Sequence, residues 1–285
     1  MIRKPDWLRI SIVNNPNKDT VIDILKNLNL NTVCIEAICP NQQECFSHKT
    51  VTFMILGKNC TRDCGFCNVC YKKPEPIDQN EPERIALAVK QLAMQYIVIT
   101  SVTRDDLLDG GAEHFANVII AIRKNSPATK IEVLIPDFQG NIIALKTVAD
   151  MLPDVISHNI ETVISLYPQV RPQADYRRSL NLLKNIKQLN SEISSKSGIM
   201  LGLGETKEQV YELFDDLQEV GCDFLTIGQY LSPSSNHLPV KKYIEPYMFE
   251  EYGETARKKG FLFVASAPLV RSSYNAWKAV EHNII

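Results

Sequence analysis

Three cysteines share one short segment, Cys60, Cys64 and Cys67, in the spacing C-x3-C-x2-C. Three thiolates on one loop can hold three irons of a four-iron cluster, which leaves the fourth iron open to a small molecule that chelates it and takes an electron. The alternative is zinc, because Cys70 adds a C-x2-C pair with Cys67. Zinc sites, however, favour cysteine pairs from two separate loops. The segment also follows an apolar stretch that we expect to be a strand, which is where barrel enzymes place their active-site loops. Spacing and location therefore favour the cluster.

A second set of three cysteines precedes the first, with Cys34, Cys39 and Cys45 in the spacing C-x4-C-x5-C. Three further thiolates at short, regular intervals suggest another cluster. The alternatives are a zinc knuckle or three buried cysteines. The position of this set, just ahead of the first, favours the second cluster.

Composition limits the other function classes. Seven of the eight cysteines lie between residues 34 and 70, and the N-terminus lacks the apolar core of a signal peptide, so a secreted disulfide scaffold is not expected. We therefore expect a cytoplasmic protein. The net charge of −2 and the lack of a basic block argue against a nucleic-acid partner. No run of about 18 apolar residues predicts a membrane span.

The elements that must position these cysteines begin near residue 50, where short apolar stretches start to alternate with amphipathic ones. The predicted strands are 50–57, 97–102, 131–135, 155–158, 198–203, 224–228 and 261–265. The predicted helices are 82–96, 111–124, 141–152, 175–189 and 206–220. The last helix has Thr206 as a plausible N-cap with Gln209 three residues on, which is a capping-box pattern.

This alternation predicts an α/β fold with a parallel sheet and right-handed crossovers. Six or seven strand–helix units fall short of the eight of a full barrel, so we predict a partial (β/α)6-type TIM barrel. A doubly wound sheet is the alternative, but no Gly-rich dinucleotide fingerprint supports it. We place an N-terminal extension at 1–49, the barrel at 50–267 and a C-terminal extension at 268–285, with the extensions covering the barrel mouth. The Pro- and Ser-rich stretch 229–244 is expected to be a long loop at the active site.

Further motifs give the chain a resemblance to the lipoyl synthase family of radical S-adenosylmethionine (SAM) enzymes. The segment Gly198–Glu205 is similar to the G-x-I-x-G-x-x-E motif of radical SAM proteins, with Met200 in the Ile position. The family also carries the C-x4-C-x5-C set ahead of the SAM motif and an Arg-Ser-Ser-Tyr sequence near the C-terminus, here 271–274. Similar motifs cover nearly the whole chain, in 32–45, 52–67, 100–115, 131–140, 158–163, 170–180, 196–205 and 225–240. The departures are Ile35, where an acidic residue is common, and the extra cysteine, Cys70.

The resemblance implies two [4Fe–4S] clusters and SAM as cofactors, and it implies their ligands. The SAM-binding cluster would be held by Cys60, Cys64 and Cys67. The auxiliary cluster would be held by Cys34, Cys39, Cys45 and Ser273, with Ser272 as the alternative to Ser273. The residues implied to contact SAM are Phe66, Thr100, Asn159, Glu161, Arg171 and Gly202.

The activity implied by the resemblance is insertion of two sulfurs, at carbons 6 and 8, into a protein-bound octanoyl-lysine. SAM is cleaved to a 5′-deoxyadenosyl radical that takes hydrogen from the octanoyl chain, and the auxiliary cluster gives up the sulfur. The implied partners are octanoylated carrier proteins, namely the lipoyl domains of 2-oxoacid dehydrogenases and the glycine cleavage H protein, and an electron donor such as flavodoxin or ferredoxin. One rival is a radical SAM enzyme similar to biotin synthase, which should lack both the N-terminal cysteine set and the Arg-Ser-Ser-Tyr sequence. The other is a non-catalytic electron-transfer protein, which should have every iron ligated.

Overall fold

The strands form a parallel sheet whose order follows their order along the chain. The computed structural model describes residues 3–10 and 15–278, so the predicted extensions 1–49 and 268–285 lie partly outside the described residues. The strands are β1 Thr52–Ile55, β2 Asn59–Cys60, β3 Cys70–Tyr71, β4 Tyr96–Ser101, β5 Lys130–Leu134, β6 Val155–Ser157, β7 Ser194–Leu201, β8 Phe224–Gln229 and β9 Phe263–Ser266. The seven-stranded sheet has the order β1-β4-β5-β6-β7-β8-β9, and β2 and β3 form a separate pair.

The register within the sheet shows that its strands are parallel. Residue 52 lies opposite 98 in the β1–β4 pair, 97 opposite 131 in β4–β5, 197 opposite 225 in β7–β8, and 225 opposite 264 in β8–β9. A doubly wound sheet reverses its strand order part-way along, and this order does not reverse. The predicted partial (β/α)-barrel architecture is therefore confirmed, and the doubly wound alternative is wrong.

Helices follow the sheet strands, as the sequence pattern predicts. The helices are α1 Pro16–Asn27, α2 Val33–Glu36, α3 Gln42–Ser47, α4 Glu81–Leu92, α5 Ala112–Asn125, α6 Ile142–Ala149, α7 Tyr167–Val170, α8 Tyr176–Leu189, α9 Lys207–Glu219 and α10 Pro246–Lys259. Single turns of 3-10 helix occupy Asp6–Leu8, Phe138–Gly140 and Ile164–Leu166. None of the helices within 3–10 and 15–278 has the length and apolar character needed to cross a bilayer.

The five predicted helices and seven predicted strands are all present, with shifted ends. Helix α9 begins with the predicted capping box, in which Thr206 and Gln209 bond reciprocally to each other's backbone N–H. Helix α4 was predicted to continue to residue 96 but ends at Leu92, because Ala93 adopts a left-handed φ of 52° and Tyr96 already belongs to β4. Helices α1, α2, α3 and α10 were not predicted.

The chain divides into two compact units. The N-terminal unit contains the described residues of 10–62 and 68–156, and the C-terminal unit those of 3–9, 63–67 and 157–278. The predicted domain boundaries at 49 and 267 stay a prediction.

In the N-terminal unit, the first five of the six residues of β4 are buried. Its Ile97 and Ile99 are fully buried, as are Val89 of α4 and Phe115 of α5. The segment that precedes β1 is tied to it, because the Thr32 hydroxyl donates to the backbone carbonyl of residue 52 at 2.6 Å. Helix α2, which begins directly after Thr32, is therefore fixed relative to the strand that leads into the 60–67 loop.

In the C-terminal unit, the six residues of β8 are all buried. Helices α9 and α10 cover this region with apolar side chains, among them Phe214 and Phe249, which are fully buried. After β8 no helix or strand occurs until α10, so the predicted long loop over 229–244 is confirmed from residue 230 onward.

Candidate active site

Cys60 lies where backbone N–H groups converge on its sulfur. The N–H of Arg62 donates to Cys60 Sγ at 3.4 Å, and the N–H of Thr103 donates at 3.3 Å. Thr103 lies on the loop after β4, and its carbonyl also accepts the N–H and the hydroxyl of Thr61, each at 3.0 Å. Hydrogen bonds of this kind stabilise negative charge on sulfur and tune the reduction potential of a thiolate-bound cluster. The surroundings of Cys60 therefore suit a thiolate ligand.

A buried ion triad holds the same loop. The Arg62 guanidinium donates Nε to Asp105 at 2.6 Å and Nη2 to both Asp105, at 2.8 Å, and Asp137, at 2.6 Å. Burial by itself would lower the pKa of Arg62, but the bonds and charges of the two carboxylates raise it above its ordinary value. The two aspartates follow β4 and β5, so one cation ties three neighbouring strand ends of the N-terminal unit together.

The loop from Cys64 to Cys67 belongs to the C-terminal unit and packs tightly there. The N–H of Cys67 donates to the carbonyl of Cys64 at 3.0 Å. The N–H of Gly65 donates to the carbonyl of Val170 at 3.1 Å, and the carbonyl of Gly65 accepts the N–H of Leu238 at 2.9 Å. A Cβ on Gly65 would lie 3.0 Å from the Leu238 side chain, so glycine allows the two segments to approach this closely.

Phe66, between these cysteines, joins an apolar cluster formed by residues distant in the sequence. The cluster is built on Val170, Leu203 and Tyr230, and Phe66 and Met200 pack against it. The aromatic residue of the cysteine loop and the Gly198–Glu205 segment are therefore brought together. This is the arrangement that a flat apolar cofactor moiety such as adenine requires.

The turn after β7 is held by the carboxylate of Glu205, the last residue of the G-x-I-x-G-x-x-E-like segment, for which the sequence predicted no role of its own. Glu205 accepts the N–H groups of Gly202 at 2.5 Å, Leu203 at 2.9 Å and Gly204 at 3.1 Å. Gly202 has a φ of +99°, and a Cβ there would lie 2.3 Å from the Gln229 side chain, so only glycine fits.

Three predicted polar residues of the C-terminal unit converge. The Ser272 hydroxyl donates to Asn159 Oδ1 at 2.9 Å, and Arg171 Nη1 donates to the Asn159 carbonyl at 2.9 Å. Burial raises the pKa of Glu161, and the nearby charge of Arg171 lowers it in part. The C-terminal Arg-Ser-Ser-Tyr segment thus reaches the Asn159–Glu161 region through Ser272.

The auxiliary cysteines lie close together on two short helices of the N-terminal unit and on the turn between them. Cys34 is in α2, Cys45 is in α3, and the N–H of Cys39 donates to the carbonyl of Cys34 at 3.1 Å. Burial raises the pKa of the Cys45 thiol to about 12, and the charges of neighbouring Cys34 and Cys39 act in the same direction. None of the three is in a disulfide. In the described part of the chain, no three His, Cys, Asp or Glu side chains enclose a single metal ion. A four-iron cluster is larger than one ion and is ligated by thiolates, so this donor set fits it chemically.

Similarity to known proteins identifies the family of the chain. Residues 54–217 match the family model of the radical SAM superfamily. A lipoyl synthase of Alkaliphilus metalliredigens is 59% identical over 279 residues, which cover 98% of this chain and 96% of that protein. A lipoyl synthase of Caldicellulosiruptor saccharolyticus is 60% identical over 274 residues, 96% of each. The chain belongs to the lipoyl synthase family of radical SAM enzymes. As a member, it is an enzyme that uses SAM and a [4Fe–4S] cluster, as the sequence predicted.

Solved structures agree on the fold. Methylornithine synthase aligns with a TM-score of 0.55 at 12% identity, over 91% of this chain and 85% of its own. HydG, a maturase of the [FeFe]-hydrogenase, aligns with a TM-score of 0.60 at 11% identity, over 87% of this chain and 63% of its own. At such low identity these two structures support the architecture alone.

The remaining predicted site residues of this lipoyl synthase family member are Thr100 and Ser273. Thr100 is on β4 in the N-terminal unit, where its hydroxyl donates to the Leu134 carbonyl at 3.1 Å, which is an ordinary strand-end role. Ser273 is half-buried in the turn after Val270. Arg62 and Gln229 were missed, because their partners come from distant segments and no local pattern marks them.

Proposed function

We propose that this chain inserts two sulfur atoms, at carbons 6 and 8, into octanoyl-lysine on a carrier protein, using the ligand sets predicted from the sequence. Cys60, Cys64 and Cys67 would hold the SAM-binding cluster. The auxiliary cluster, which donates the sulfur, would be held by Cys34, Cys39, Cys45 and Ser273. Ser273 is preferred to Ser272 because it is the serine that aligns with the ligand position of the family's Arg-Ser-Ser-Tyr motif.

The observation that carries the proposal is the gathering of Cys34, Cys39 and Cys45 on two short helices and the turn between them, outside the barrel strands and with none of the three in a disulfide. An enzyme that only cleaved SAM would need one cysteine triad, and this chain has two. When bound, the first cluster supplies the electron that cleaves SAM to methionine and a 5′-deoxyadenosyl radical, and the second supplies the sulfur.

The residues of the chain would position SAM and exclude water. Phe66 and Met200 offer an apolar wall for the adenine, since they pack against one buried cluster. Asn159 and Arg171 offer polar contacts beside it, fixed by their mutual hydrogen bond. Gly202 allows the backbone of the turn after β7 to approach Gln229 closely, because a side chain at this position would collide with that residue. Such enclosure protects a radical from solvent.

An octanoylated carrier protein is the substrate class of the family. We infer that lipoyl domains of 2-oxoacid dehydrogenases and the glycine cleavage H protein supply it, and that flavodoxin or ferredoxin supplies the electrons. A cytoplasmic location remains a prediction.

Two cysteine variants test the proposal. In anaerobically reconstituted protein, Cys39→Ala should still cleave SAM but form no lipoyl product, and it should lose about four irons. Cys64→Ala should stop SAM cleavage. Cys70→Ser is the matched control, because Cys70 is a free, partly buried thiol in β3 and is not an assigned ligand, so iron content and product should stay normal. Lipoyl product from Cys39→Ala would refute the donor assignment.

A further inference from the structure

A small basic surface flanks the strand pair that carries Cys60. Lys58 directly precedes β2, and Lys72 and Lys73 directly follow β3. All three lysines are exposed. Among the ion pairs of the described residues none involves them, whereas Lys130, Lys146 and other lysines of the chain are paired with carboxylates. Glu75 follows two residues later and offsets only part of this positive charge.

An exposed aromatic side chain lies in the middle of this surface. Tyr71 is 55% exposed and lies in register opposite Cys60 in the parallel β2–β3 pair. Paired residues on neighbouring strands are about 5 Å apart and project to the same face. The tyrosine therefore stands on the surface beside the Cys60 side chain. Exposed tyrosines surrounded by charged residues are frequent anchors of protein interfaces.

We propose that Lys58, Tyr71, Lys72 and Lys73 form the docking surface of an acidic one-electron carrier of the flavodoxin or ferredoxin type. The proposal rests on the proposed function, in which Cys60 is a ligand of the SAM-binding cluster. Electron transfer weakens steeply with distance, so the carrier must dock where a cluster ligand approaches the surface, and Cys60 does so beside Tyr71. Unpaired lysines would attract an acidic partner and speed its encounter.

The redox step is balanced by the known cofactors. For each SAM that is cleaved, the carrier is oxidised by one electron, and the cluster at Cys60 is the acceptor. That electron enters the carbon–sulfur bond that breaks, which releases methionine and the 5′-deoxyadenosyl radical. No other oxidant or reductant is needed.

Charge reversal with two electron sources tests the docking surface. The variant Lys58→Glu/Lys72→Glu/Lys73→Glu is compared with Lys90→Glu/Lys124→Glu/Lys184→Glu, which makes the same change in net charge at three exposed helix lysines without ion pairs in the described structure. Formation of 5′-deoxyadenosine by the reconstituted full chain is measured with dithionite and with a recombinant bacterial flavodoxin kept reduced by its NADPH-dependent reductase. Calorimetry gives the Kd of oxidised flavodoxin without SAM, so one readout involves no turnover.

The patch variant should cleave SAM with dithionite at the wild-type rate. Its flavodoxin-driven rate should fall about tenfold or more, and its Kd for flavodoxin should rise to a similar extent. The control variant should match wild type with both electron sources. Raising the salt concentration should slow the flavodoxin-driven wild-type reaction and leave the patch variant nearly unchanged. The triple Lys→Gln variant should lie between wild type and the charge reversal.

Three results would overturn the docking surface: equal loss in patch and control variants, no loss in the patch variant, or weaker binding of an octanoylated H protein with flavodoxin binding unchanged. Failure of wild-type protein to cleave SAM with dithionite would instead count against the proposed function, and the binding measurement would still decide the docking surface.

Discussion

Replacing Arg62 by alanine should destabilise the N-terminal unit severely, because it removes a cation that is bonded to a fully buried carboxylate. The Asp137 side chain is 0% exposed, and it also accepts the N–H of Gln139 at 3.1 Å. Breaking a buried ion pair by removing one partner costs about 3–5 kcal/mol. Asp105 is 24% exposed and can be hydrated, so the loss of its bond to Arg62 adds little to this cost in stability. For a chain of this size the melting temperature should fall by roughly 6–20 °C.

Urea unfolding of the iron-free full chain measures this cost without a contribution from clusters. Arg62→Lys keeps the charge but cannot form the two-pronged contact, so it should lose about 1.5–3 kcal/mol. Lys146→Ala, which breaks an exposed pair with Asp150, is the control and should change stability by less than about 1 kcal/mol. A loss of less than 1 kcal/mol in Arg62→Ala would show that the triad does not hold the loop as described.

Three further outcomes are expected. Gly228→Ala should lower the free energy of unfolding by about 1–3 kcal/mol, because its Cβ would lie 2.1 Å from the carbonyl of Val270. Val270 directly precedes the Arg-Ser-Ser-Tyr segment, so the variant should also bind less iron, and a normal iron content would contradict this. Burial alone would raise the pKa of Asp154, but hydrogen bonds from Lys130 and from the backbone lower it. The ionised Asp154 carboxylate therefore stabilises the fold above about pH 4, and this contribution is lost as the pH falls through the lowered pKa. Asp154→Asn should therefore flatten the acid side of the stability–pH curve, and an unchanged slope would count against it. Glu205→Gln should weaken SAM binding about tenfold in an equilibrium titration, because a neutral amide cannot accept all three turn N–H groups; unchanged affinity would remove the turn from the SAM site.

The fold was largely predictable because its elements have local signals. Short, continuously apolar runs located the sheet strands, amphipathic patterns located five helices, and the Thr206–Gln209 pair marked the start of α9. Helix α10 was missed because its sequence, PYMFEEYGETARKK, is polar and carries Gly253, although tertiary packing buries its Phe249. The short helices α2 and α3 have too few residues for a periodic signal.

The candidate site was predictable in part. Cysteine spacing and motif resemblance indicated both thiol sets, and the structure brings Phe66 and Met200 into one cluster as the motifs implied. The Arg62 triad could not be found this way, because its aspartates lie 43 and 75 residues further along the chain. Such pairings depend on which strand ends meet, and that is a property of the folded sheet.

The central claim is that one cysteine triad holds the cluster that cleaves SAM and the other holds the auxiliary cluster that donates the inserted sulfur. Protein reconstituted with sulfide enriched in a heavy sulfur isotope should, with SAM and a reductant under anaerobic conditions, convert an octanoyl-lysine peptide to a lipoyl-lysine peptide whose two sulfurs both carry the label. Cys39→Ala prepared in the same way should give 5′-deoxyadenosine and no thiolated peptide. Unlabelled sulfur in the product, or labelled lipoyl peptide from Cys39→Ala, would contradict the account.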